Sequence, residues 1–204
     1  SHTASLAGDY AVFSSVLSQY GLVEAKNMLE LVYFCQGLSA YQKPTEGRLG
    51  IITASGGHGA LAMDLCMEMD LSVPTLHEIE QDAIRRLLSP TIKPIAACMN
   101  PVDVTGSAVD QDFVAAAMTM GMHPEIDCLV ALILPYAPGI TQDLGAILGS
   151  VPRRSGKPLI AYVARLDKYR ILIEGFELNG VPVAHSIEGA MHMAQALMKY
   201  KGSS

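Results

Sequence analysis

Apolar positions along the chain switch between two periods. Residues 49–52 form a continuous apolar run, β-branched toward its end, with the length of a strand buried on both faces. Over 58–69 the period lengthens, and Leu61, Leu65 and Met69 fall on one helical face. The pair then recurs. A short strand is predicted over 71–76 and a helix over 78–88, ended by Ser89-Pro90. A loop follows over 100–106, then a helix over 110–120 with Gly121 as its C-cap. The run 128–134 reads as a central strand, and 135–139 turns into a helix over 141–151. A strand over 158–164, a helix over 168–178, a short strand over 181–185 and a helix over 188–200 complete the pattern. Ahead of it lie two predicted helices with no strand between them. Tyr10, Phe13, Val16, Leu17 and Tyr20 share one face up to Gly21, and 24–41 carries Leu29, Val32, Tyr33 and Gln36. The breaker-rich stretch Lys43-Pro44-Thr45-Glu46-Gly47 divides a helical segment, 1–46, from a second domain, 47–204.

Strands alternating with helices imply right-handed crossovers and a parallel sheet. The expected fold class is therefore α/β, a flavodoxin-like doubly wound sheet of about five strands behind a helical N-terminal segment. Composition narrows the function. The chain has 204 residues, 50% hydrophobic and 17% charged, which suffices for a core and argues against disorder. Its longest apolar run, 128–136, falls far short of the ~20 residues of a membrane span. No basic-then-apolar start marks a signal peptide, so a cytoplasmic location is expected. A net charge of −6 with scattered basic residues excludes nucleic acid as a partner. The apolar excess implies surface covered by other domains or by copies of the chain, so a homo-oligomer is expected. Cys35, Cys66, Cys98 and Cys128 stand far apart without a CxxC, which predicts buried free thiols and no zinc. His77, His123, His185 and His192 lack metal-ligand spacing, and no metal site is expected.

Chemistry concentrates at Thr53-Ala54-Ser55-Gly56-Gly57-His58-Gly59, between a strand and a helix. Such a turn aims free backbone N–H groups, and about half a positive charge of helix dipole, at an anion. Glycine lets a phosphoryl group approach where a Cβ would block it. The plainer alternative is a tight turn that packs strand against helix. Ser55 could add a hydroxyl donor; His58 could offer a hydrogen bond or a charge, or simply face solvent. In sheets of this kind ligands bind beyond the carboxyl ends of the strands, where 55–59, 100–106, 136–139 and 165–168 are expected to cluster. Asn100 and Asp103 are expected to fix their loop through Asx-type hydrogen bonds. A flavin-binding reading suffers from the absence of Trp and only 6% aromatic residues. A receiver-domain reading lacks an acidic cluster with its paired Lys.

Three stretches in series resemble the NDP-forming acyl-CoA synthetases, relatives of succinyl-CoA synthetase. Ser1-His2-Thr3-Ala4-Ser5-Leu6-Ala7-Gly8 is similar to the family's S-H-T-G-x-L-A-G loop, whose histidine is phosphorylated in turnover. Gly50-Ile51-Ile52-Thr53-Ala54-Ser55-Gly56-Gly57-His58-Gly59 is similar to its strand and GGxG turn, and Asn100-Pro101-Val102-Asp103 to its N-P-V-D. Ala4 replaces the usual Gly, and His58 stands at the variable GGxG position. The resemblance implies a ligase reaction, acyl-CoA + NDP + phosphate ⇌ carboxylate + CoA + NTP. His2 would carry the phosphoryl group, with Ser55, Gly56, Gly57, His58 and Gly59 receiving it. It also implies that 1–46 ends a preceding domain and that 47–204 is the next flavodoxin-like domain. The implied partners are phosphate, a CoA-binding Rossmann domain and an ATP-grasp domain or subunit. On this reading the chain is a fragment that binds no cofactor itself, while CoA, ATP/ADP or GTP/GDP, and Mg2+ serve the complete enzyme. The alternative is a non-catalytic regulatory or scaffold module, for example one fused to an acetyltransferase; the retained His2 argues against it.

Overall fold

A computed structural model describes residues 8–202. Helices α1 (Tyr10–Gln19) and α2 (Met28–Ala40) come first. Strand β1 (Leu49–Thr53) leads into α3 (Gly56–Glu68) and α4 (Glu78–Leu87), followed by β2 (Val102–Asp103), α5 (Asp110–Gly121) and β3 (Cys128–Leu132). Next come α6 (Leu144–Leu148), α7 (Val151–Ser155) and β4 (Leu159–Tyr162). A 3-10 turn, Asp167–Tyr169, opens α8 (Arg170–Glu177), and β5 (Val183–Ala184) and α9 (Ile187–Lys199) follow. The strands form one parallel sheet in the order β2-β1-β3-β4-β5, the flavodoxin-like order.

The two-residue period of a strand sends neighbouring side chains to opposite faces. Ile52, Leu129, Ala131, Leu159 and Ala161 enter a core covered by α5 to α8. Leu49, Ile51, Cys128, Val130 and Ile160 enter a second core beneath α3 and α9. Helices therefore cover both faces, and β1 and β3 are buried at every position.

Four expectations need correction. Residues 71–76 form no strand: Ser72 makes a single bridge to Arg48, and Pro74 has no N–H to extend a ladder. The second strand is Val102–Asp103, inside the segment expected to be a loop. The helix expected over 141–151 is broken in two, with Ser150 between α6 and α7 and Pro152 in the first turn of α7. Cys35 also differs from expectation, being exposed while Cys66, Cys98 and Cys128 are buried.

The outer strands are only two residues long, and side chains continue the sheet where they stop. Asn100 accepts the Ile51 N–H at 2.9 Å and donates to the carbonyls of Leu49 at 2.9 Å and Pro74 at 2.8 Å. Its amide thus stands in for a peptide group between the Ser72 bridge and β2. At the other margin the Tyr41 hydroxyl donates to the Leu159 carbonyl at 2.9 Å and accepts the Leu159 N–H at 3.2 Å, where β5 does not reach.

Helix α2 lies across α9 at glycine contacts. A Cβ on Gly37 would stand 3.0 Å from the Met193 carbonyl, and the Tyr33 ring fills the place of a Cβ on Gly189. No residue of α1 is buried, and Tyr10, Phe13, Val16 and Tyr20 face solvent.

Candidate functional site

The β1–α3 turn is clipped by Thr53, whose hydroxyl accepts the Ser55 N–H and donates to the Ser55 carbonyl, both at 3.0 Å. Ser55 has the extended backbone of an N-cap (φ −150°), but its side chain caps nothing. The first intrahelical bond runs from the Gly59 N–H to the Ser55 carbonyl at 3.0 Å. The N–H groups of Gly56, Gly57 and His58 precede it and so have no partner within the helix. Gly56 to Gly59 form the first turn of α3.

Nothing in the surrounding fold demands glycine at 56 or 57. Neither has positive φ. A Cβ on Gly56 would meet only Asp103 Oδ2, at 3.5 Å, and one on Gly57 only Ser55 Oγ, at 3.7 Å. Both are ordinary contact distances. Gly59 is tighter, with Thr53 Cγ2 at 3.4 Å and Pro101 Cβ at 3.6 Å. The missing methyl groups at 56 and 57 leave open space over three uncommitted amides.

The neighbouring strand ends complete the surroundings. Asp103 Oδ1 accepts the Thr105 N–H at 2.8 Å, and the Val104 N–H donates to the Thr53 carbonyl at 2.8 Å. The Asp103 backbone also exchanges two hydrogen bonds with Ala97. Its second carboxylate oxygen faces the glycine turn. Thr105 is left-handed (φ 68°), and its buried hydroxyl has no partner; no sequence pattern singled it out. A Cβ on Gly106 would stand 3.9 Å from the Ala54 carbonyl and 3.6 Å from Leu134. The ends of β1, β2 and β3 therefore converge. Asn100, in contrast, lies buried beside the middle of β1, joined to Leu49 and Ile51 rather than to the turn.

His58 is the third residue of α3. Its ring packs edge-on against Tyr162, with centroids 5.6 Å apart, and its buried Nδ1 has no partner. Burial holds the imidazole below the ordinary histidine range. At neutral pH it therefore brings no charge, and the positive end of the turn is the helix dipole. His2 lies outside the described residues. Among the described residues, no group of three or more His, Cys, Asp or Glu could hold a metal ion, and no helix is long and apolar enough to cross a membrane.

No family model matches the chain. The α subunit of acetate–CoA ligase [ADP-forming] II from Pyrococcus furiosus is 30% identical over 208 residues, covering 98% of this chain and 43% of the relative. The 4-hydroxybutyrate–CoA ligase [ADP-forming] of Nitrosopumilus maritimus is 24% identical over 98% of this chain and 28% of its own length. A crystal structure of a Pyrococcus horikoshii OT3 protein superposes with a TM-score of 0.82 at 25% identity, over 95% of this chain and 44% of that one. Acetyl-coenzyme A synthetase 1 of Ca. Korarchaeum cryptofilum, in complex with phosphate and ADP, superposes with a TM-score of 0.83 at 22% identity, over 98% and 42%. The chain thus spans less than half the length of each.

Proposed function

Over 98% of its length this chain is a homologue of the α subunits of ADP-forming acetate–CoA ligases, and from that premise we propose that it serves an NDP-forming acyl-CoA synthetase as the domain that receives a phosphoryl group. The reaction is acyl-CoA + NDP + phosphate ⇌ carboxylate + CoA + NTP, run in the cytoplasm. The observation that carries the reading is the first turn of α3. It offers three uncommitted amides under two glycines that the fold itself does not need. Oriented N–H donors stabilise a transferring phosphoryl group without exchanging protons. Ser55, whose hydroxyl caps nothing, adds a donor at the rim.

In this scheme His2 is the carrier. Neutral imidazole is nucleophilic near pH 7, and the phosphoimidazole it forms remains a good phosphoryl donor. Residues 1–46 belong to the domain that presents this loop, and 47–204 form the acceptor domain. A CoA-binding Rossmann domain and an ATP-grasp domain or subunit supply the CoA and nucleotide sites, with Mg2+ accompanying the nucleotide. The test is labelling of the complete enzyme with γ-labelled NTP. The native enzyme takes up acid-labile label, whereas His2→Asn takes up none. Equal labelling of that variant removes His2 from the scheme.

A further inference from the structure

Hydrophobic exposure is concentrated at one place. Among the described residues, nearly half of the large apolar side chains that face solvent fall between residues 10 and 32, on α1, the turn after it and the outward side of α2. Phe13, Val16 and Tyr20 follow one another at helical spacing and are 57%, 44% and 74% exposed. No residue of α1 is buried. A helix of 10 residues is too short to hold itself in water, so packing has to stabilise it. This chain supplies little. The Ser14 hydroxyl donates to Glu24 at 2.9 Å. Phe13 and Leu17 line an open groove of about 420 Å³ with Val23, Met28 and Leu31.

The same face is almost free of charge. α1 contains no charged residue, and 10–32 carries only Glu24, Lys26 and Glu30. The carboxylates are tied down locally at the helix ends. Glu24 accepts from Ser14, Glu30 accepts the Lys26 N–H at 2.9 Å and an Asn27 side-chain N–H at 3.1 Å, and Asp9 accepts the Ala11 N–H at 2.9 Å. Around a two-fold axis each residue meets its own copy, so a charge there would be repelled by itself. α1 brings none. The apolar surface exposed between 10 and 32 is on the order of 1,000 Å², above the ~800 Å² per partner of a stable interface and the ~600 Å² of the largest patch on an ordinary monomer.

We propose that α1 and the outward side of α2 form the interface of a two-fold dimer of this chain, with α1 of each copy lying against the α1–α2 groove of the other. The opposite side of α2 stays on α9 through the Gly37 and Gly189 contacts, so association leaves the packing around each sheet unchanged. The interface is separate from the β1–α3 turn and does not rest on a phosphoryl role for that turn.

The test is sedimentation velocity of this chain over a dilution series, with thermal unfolding alongside. A reversible species of twice the chain mass at micromolar concentration supports the proposal. Phe13→Glu and Val16→Glu touch no core, and glutamate is a good helix former. Each should weaken dimerisation at least about 30-fold, and should melt where the native chain melts once diluted to monomer. Ile79, 83% exposed on α4, lies across the sheet from α2; Ile79→Glu should dimerise as the native chain does. The proposal is overturned if the native chain stays monomeric throughout, which leaves the face to a different partner. It is equally overturned if both α1 variants dimerise as the native chain does, or if Ile79→Glu abolishes the dimer as they do.

Discussion

Replacing Gly57 by Ala separates a glycine kept for a ligand from a glycine kept for the fold. The new methyl group would meet nothing nearer than Ser55 Oγ, at 3.7 Å, and the backbone there is not left-handed. Folding therefore bears no steric cost. Alanine instead restricts the unfolded chain and favours helix, a gain of about 0.5–1 kcal/mol. For a domain of this size that raises Tm by about 1–4 °C. The methyl group would also stand over the amides at which a phosphoryl oxygen must approach to about 3 Å. A displacement of about 1 Å at a reacting centre can cost about 100-fold in rate. The assay has two arms: thermal unfolding of the variant chain, and phosphoryl transfer by the enzyme assembled with it. The expected outcome is a protein more stable than native and slower by tenfold or more. A variant that unfolds earlier, or one that transfers phosphate at the native rate, refutes the reasoning.

Other substitutions probe the frame that holds this turn. Asn100→Ala strands the Ile51 N–H and the carbonyls of Leu49 and Pro74; at about 1–3 kcal/mol per buried orphan it should cost at least about 3 kcal/mol in urea unfolding. Tyr41→Phe removes both bonds to Leu159 and should cost about 1–2 kcal/mol by the same measurement. Because burial lowers the His58 pKa, the unfolded chain binds a proton more readily than the folded one. This contribution is therefore intact above the ordinary histidine value of about 6.5 and is lost as pH falls from there toward the folded-state pKa. Across that window Tm should fall less steeply in His58→Phe than in the native chain; identical slopes would remove His58 from the account.

What the sequence disclosed depends on how each element is stabilised. Strands β1 (Leu49–Thr53) and β3 (Cys128–Leu132) are buried on both faces, so their apolar runs announce them without any partner being known. Strand β2 is two residues long, too short to have a period, and its place beside β1 is completed by the side chain of Asn100. The apolar residues around 71–76 looked more like a strand, yet Pro74 denies them the ladder. The start of α2 was set by Asn27, whose side chain accepts the Glu30 N–H at 2.9 Å, rather than by the apolar period that suggested an earlier beginning. At the site, the glycine turn was legible because strand, glycines and helix are contiguous. The approach of Asp103 to Gly56 joins residues nearly fifty positions apart, and the edge-on packing of His58 on Tyr162 joins residues more than a hundred apart. No local pattern encodes either.

The margins of the sheet are stoppered by the Asn100 amide and the Tyr41 phenol. A strand from another molecule finds no long ribbon of vacant peptide groups to zip onto. Removing either stopper does more than loosen the fold, because it uncovers a docking strip for a second copy of the same damaged chain. Such variants should be lost to sedimentable aggregates before they are lost to unfolding.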